Sequence, residues 1–149
     1  MNPLMEYLPP VSQPQGVPAQ GANKYYGPIA SGYDAKREKD EKWIVEQKII
    51  TDMLSDLPAG TTVLDCPVGT GRFLEFYLSK GFKFLGVDLS GDMLVQSALK
   101  CGASPEDLQQ WVAMSKQAGA IIPVTIDTDK GELAQGDVRN TGFPDKCVD

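Results

Sequence analysis

The run from Val63 to Phe73, VLDCPVGTGRF, constrains the fold of this chain more than any other stretch. A short apolar segment (Val63, Leu64) ends on an acid, Asp65. A tight turn built on Pro67, Gly69 and Gly71 follows, and the chain then takes up helical spacing. Glycines in such a turn let a ligand come close to the main chain. The helix beyond it offers unpaired N–H groups and the positive end of its dipole. Strand, backbone-lined loop and helix start together suit a nucleotide-like ligand that carries a carboxylate or a phosphate.

Spacing narrows the choice of ligand. A dinucleotide fingerprint beginning at Gly69 needs a third small residue at position 74, and this chain has Leu74 there. A P-loop needs Lys and then Ser or Thr after its last glycine, whereas Gly71 is followed by Arg72 and Phe73. The remaining pattern, Asp65, Pro67, Gly69 and Gly71, resembles the first motif of the class I S-adenosylmethionine (SAM) dependent methyltransferases. Pro67 stands where that family usually has its first glycine.

A second acid follows at a fitting distance. Gly81 ends the helical stretch of Leu74, Tyr77 and Leu78, and the apolar run Phe82, Phe84, Leu85, Val87 leads into Asp88. This is a second strand ending on a carboxylate, 17 residues after Gly71. A Rossmann-type unit places its ribose-binding acid roughly 20 residues on. The string GVDLSGDML resembles the family's second motif, and ELAQGDV at Glu132 to Val138 resembles a third. The three stand in the family's order, and the resemblance covers about Tyr25 to the C-terminus.

The resemblance implies a Rossmann-like α/β fold, a parallel sheet with flanking helices. It implies SAM as cofactor, with the methionine end held at the turn of Asp65, Pro67, Gly69 and Gly71 and the ribose at Asp88. Leu89 and Met93 would line the adenosine pocket. Asp137 would bond the adenine amino group, with Val138 against the ring. In many members a Tyr-Asp pair before the first long helix covers the methionine end, and Tyr33 with Asp34 resembles it, with Arg37 placed to reach a carboxylate. The activity implied is methyl transfer to an acceptor that the sequence does not identify, an in-line displacement in which positioning supplies much of the rate.

Each of these residues also has a structural reading. Asp65 is suited to capping the loop, Asp88 beside Ser90 to capping a helix, and Asp137, in the turn-rich string GDVRNTG, to closing a turn. Tyr25, Tyr26 and Tyr33 are suited to covering apolar surface.

Charge and composition bound the partners. The net charge is −6, which disfavours nucleic acid, whose binding draws on Lys and Arg at phosphates. A small-molecule acceptor is the favoured expectation. The mixed-sign run from Lys36 to Lys42 reads as a solvated helix face. No apolar run approaches a membrane span and no basic-then-apolar leader opens the sequence, so a cytoplasmic location is expected. The 3 cysteines form no CxxC pair and there is no His, which points away from a disulfide framework or a metal site and leaves proton transfer to other groups.

At 149 residues the chain is about one domain. Residues 1–23, rich in Pro, Gln and Gly, read as a flexible, disordered arm, and residues 24–149 as the SAM-binding domain. Trp43, Ile50, Leu54 and Leu57 share one helical face, predicting an amphipathic helix over Asp40–Leu57 that packs on the sheet. An insertion spans about 102–131. In it Ser104 caps a helix from Pro105 to Ala118, and Ile121, Ile122, Val124 and Ile126 form a strand able to pair with the one at Glu132. The insertion is open to forming part of the substrate rim or a dimer surface, and Trp111, costly to expose without a partner, favours an interaction surface. Cys147, Val148 and Asp149 read as the start of a fourth strand, which complete family members follow with about three more. The fold is therefore expected to be incomplete at its C-terminus, with an exposed sheet edge open to self-association or a partner subunit. Two rival readings remain at this point, a non-catalytic methyltransferase-like subunit acting in assembly and an enzyme using another nucleotide.

Overall fold

A computed structural model of the chain describes residues 28–109, 124–127, 131–139 and 145–149. The expected N-terminal arm, most of the helix expected around Trp111, and the first residues of the strand expected from Ile121 lie outside the described residues. The fold is an α/β arrangement around a small sheet. Two short helices, α1 (Pro28–Ser31) and α2 (Tyr33–Arg37), precede the long α3 (Glu41–Leu54). Then come β1 (Thr62–Asp65), α4 (Leu74–Lys80), β2 (Lys83–Asp88) and α5 (Gly91–Lys100), and finally β3 (Val124–Asp127) and β4 (Gly131–Gln135). The strands lie in the order β1-β2-β4-β3. β1, β2 and β4 are mutually parallel, with Asp65 beside Gly86 and Asp88 beside Gln135. β3 runs antiparallel to β4, so the expected pairing between these two segments is present.

The apolar run of β2 is buried from Phe84 to Asp88, as a strand covered on both faces must be. Leu74 and Tyr77 of α4, Leu94 and Ala98 of α5, and Leu133 of β4 close a core around Phe84. Local signals set the helix ends. Gly81 terminates α4 in the left-handed conformation at φ 70°. Ser90 caps α5, its hydroxyl accepting from the Met93 N–H at 3.3 Å. Ser104 accepts from the Asp107 N–H at 3.1 Å and opens the expected helix at Pro105, with Leu108 buried beneath it.

α3 departs from expectation. It is shorter at both ends than Asp40–Leu57, with Asp40 as its cap, and no residue of it is fully buried. Trp43, Ile50 and Leu54 are half-buried. Leu57 lies past the helix and is exposed, and Val45, Ile49 and Met53 face outward. The reason is a shared load. Leu54 reaches the core, but polar groups hold the rest: Arg72 clips the first turns, and the Lys80 ammonium donates to the Ser55 carbonyl at 2.7 Å at the far end. An apolar face predicted from spacing alone overstates the burial of a helix anchored in this way.

At the other edge of the sheet the Asp149 N–H donates to the Thr62 carbonyl at 3.0 Å, and the Asp149 carboxylate accepts from the Thr62 N–H at 2.8 Å. β1 therefore meets chain on both sides. Among the described residues no helix is long and apolar enough to cross a membrane.

Candidate functional site

The C-terminal ends of β1 and β2 open into one cavity of about 670 Å³. Its floor is the glycine turn, which local bonds draw over the end of β2. The Val68 N–H donates to the Val87 carbonyl at 2.8 Å. The Gly69 N–H donates to Asp88 Oδ2 at 2.8 Å, and the Ser97 hydroxyl of α5 donates to the Gly69 carbonyl at 2.7 Å. Gly69 and Gly71 take φ values of 59° and 75°, which glycine adopts without steric cost. The turn is thus tied to β2 and α5 before any ligand arrives.

The two strand-end acids differ in what they still offer. Asp88 is 8% exposed and accepts from Gly69 through Oδ2 and from the Ser90 N–H, also at 2.8 Å, through Oδ1. It is therefore both loop tie and helix-start cap, and the Leu89 N–H adds to the pull of these two donors on its charge. Asp65 accepts from the Tyr77 hydroxyl through Oδ2 at 3.0 Å; no described residue bonds its other oxygen. Burial pushes both carboxyls up from their ordinary range, against the pull of the Tyr77 hydroxyl on Asp65 and of backbone N–H groups on Asp88. Burial, followed by the charges of Asp88, Asp65 and Asp137, lifts the neighbouring Cys66 thiol to about 11. It stays protonated at neutral pH and is a poor nucleophile.

The raised carboxyl pKa has a measurable consequence. A carboxyl with a folded pKa above its ordinary 3.8 adds stability below that value and loses it as pH rises through the folded pKa. Ionising Asp65 is therefore a burden on the ligand-free fold. Asp65→Asn, which keeps an acceptor for Tyr77, is expected to melt at or above the parent at pH 7, with the gap closing toward pH 4. Thermal melts across that range check it, and a variant that melts well below the parent at pH 7 would contradict this account of the floor.

Above the floor the wall is mostly apolar and aromatic. Pro67, Val68, Leu89, Met93 and Val138 supply apolar lining, and Tyr33, Trp43 and Phe73 aromatic lining. Arg37, Glu46, Thr70 and Arg72 supply the remaining polar lining. The Arg72 guanidinium lies 4.3 Å from the Trp43 ring centre and 4.9 Å from that of Phe73. It donates to Gln47, Glu46 and the Trp43 carbonyl. Arg72 thus joins the glycine turn to α3 as a structural clip. Arg37 sits over the Tyr33 ring at 5.4 Å and pairs with Asp40 at 3.5 Å.

Of the residues predicted from sequence, Tyr33, Asp65, Pro67, Gly69, Asp88, Leu89, Met93 and Val138 all line this cavity. Gly71 does not line it; it shapes the turn behind, where a side chain would run into Leu74 and Ser97. Asp137 is not among the lining residues either. Its carboxylate is engaged by the Arg139 guanidinium and N–H. Those hydrogen bonds hold it down at about 2. The geometry here favours the turn-closing reading of Asp137 over a contact with a ligand in the cavity.

Compared with family models, curated proteins and solved structures, the chain finds no match. The functional reading therefore rests on the cavity itself. Trp43, Glu46, Arg72 and Phe73 also line the cavity, and nothing in their sequence spacing singles them out for that role. Trp43 and Glu46 come from a helix whose docking is a tertiary event, and Arg72, directly after Gly71, signals in sequence only that the turn is not a P-loop.

Proposed function

We propose that the cavity is a SAM site and that the chain is a SAM-binding unit of class I methyltransferase type. The observation that carries this reading is convergence. Eight residues chosen from three separated stretches and from the segment before α3 line a single cavity. Its volume lies in the range of small-molecule sites, and its mix of apolar wall and few polar groups is the usual one.

The residues also fit the ligand in chemical detail. Asp88, which ends β2 and lines the cavity, is the acceptor offered to a ribose diol. The unengaged oxygen of Asp65 suits the ammonium of the methionine end, and a ligand cation there would relieve the cost of its ionisation. Leu89, Met93 and Val138 are apolar surfaces for a purine. When bound, SAM supplies an electrophilic methyl group on a sulfonium. The chain's part is to hold and orient that group and keep water from it, which needs no general base of its own. The parallel order β4-β2-β1 agrees with the 3-2-1 half of a Rossmann-like sheet and supports that finer description of the fold. The acceptor remains a small molecule by preference of charge, and a cytoplasmic setting belongs to the same reading.

A thermal-shift panel tests the class of ligand. SAM and S-adenosylhomocysteine are expected to raise the melting temperature, whereas NAD and ATP, which carry phosphates that meet two carboxylates at the floor, leave it unchanged. A shift with NAD alone would assign the cavity to a dinucleotide instead.

A further inference from the structure

We propose that Asp34 is the latch of this site: it pins α2, and with it Tyr33 and Arg37, against the glycine turn and the end of α5. α2 is 5 residues long and buries none of them. A helix that short has no independent stability in water, so a specific tie must hold it over the cavity. α1 is seated through Ala30, which is buried. Beyond Gly32, where the two short helices meet, the Asp34 carboxylate ties α2 to the turn and to α5.

Its two oxygens reach two different elements. Oδ1 accepts from the Thr70 hydroxyl at 2.6 Å, and Oδ2 pairs with the Lys100 ammonium. Thr70 stands between Gly69 and Gly71, is almost wholly buried and lines the cavity. Lys100 is the last residue of α5 and is not among the lining residues. Asp34 is not among them either, so it acts through its neighbours, as a positioning residue. A ligand seated on the turn orders Thr70, an ordered Thr70 favours Asp34, and Asp34 holds Tyr33 and Arg37 at the rim. By the same linkage, opening the latch speeds ligand escape.

The consequence for ligand escape rests on the SAM reading; the latch itself does not. The test uses Lys100→Met, which removes the charge outside the cavity, and Lys100→Arg, which restores it. Hydrogen exchange on the ligand-free chain reads the amides of residues 33–38, and stopped-flow with SAM reads association and dissociation. In Lys100→Met those amides are expected to exchange about fivefold faster, the factor that a partly exposed ion pair near 1 kcal/mol supplies. SAM dissociation rises by a similar factor while association stays within about twofold, as expected for a contact that acts after docking. Lys100→Arg returns both to the parent values, and added salt narrows the gap between parent and Lys100→Met. Unchanged exchange at residues 33–38 in Lys100→Met overturns the latch. So does a change carried by association alone. If the parent fails to bind SAM, the proposed function falls, and the exchange measurement still decides the latch by itself.

Discussion

Asp88→Ala is expected to abolish measurable SAM binding, weakening it by at least about 100-fold, and to cost the fold about 2 kcal/mol. The two effects have separate origins. The binding loss follows from removing the acceptor for two ribose hydroxyls, since hydrogen bonds to a charged group contribute about 1.5–3 kcal/mol each. The stability loss follows from the Gly69 and Ser90 N–H groups, both of which donate to this carboxylate at 2.8 Å. Releasing Asp88 from its buried ionised state offsets part of that loss. Ser97→Ala separates a slackened loop from a lost contact. It frees another tie of the turn, the bond to the Gly69 carbonyl, and leaves every proposed ligand contact in place. Binding by this variant is expected to weaken by only a few-fold. If Ser97→Ala abolishes binding as completely as Asp88→Ala does, the role of Asp88 is to hold the loop. Calorimetric titration and urea unfolding of both variants make the comparison.

The second large effect is expected at Gly71. Its φ of +75° is costly for any residue with a Cβ, and an added Cβ would lie 2.6 Å from a Leu74 methyl and 2.9 Å from the Ser97 hydroxyl. The left-handed conformation costs about 1–2 kcal/mol and overpacking of this kind about 1–3. Gly71→Val is therefore expected to lose about 2–5 kcal/mol in urea unfolding, with SAM binding lost as the turn moves. Gly60 supplies the comparison. Its φ is +88°, but an added Cβ meets nothing within 4 Å, so Gly60→Ala should show the backbone cost alone, about 1–2 kcal/mol. Equal losses at the two positions would show that crowding against Leu74 and Ser97 contributes nothing.

Much of this site is legible in the sequence because its chemistry sits on short-range signals. Asp65 and Asp88 each end an apolar run, and a strand that ends on an acid beside a glycine turn has few geometries open to it. Leu89, Met93 and Val138 follow from their positions just after those strand ends. Asp137 illustrates the limit. Its place after a strand is right, but Arg139, two residues on, takes the carboxylate, and a turn of that kind is not distinguished from a ligand contact by residue type. α3 illustrates another. The spacing of Trp43, Ile50 and Leu54 marks an inward face, yet how deeply it sinks depends on Arg72 and Lys80, which belong to other elements. For the same reason Trp43, Glu46 and Arg72 enter the cavity wall unannounced.

The most direct test of the central claim is calorimetric titration of SAM into the intact chain. The account predicts saturable binding in the micromolar range at one site per chain, absent in Asp88→Ala and retained in Ser97→Ala. No heat from the parent chain at millimolar SAM, under conditions where it is folded, would contradict the assignment of this cavity to SAM.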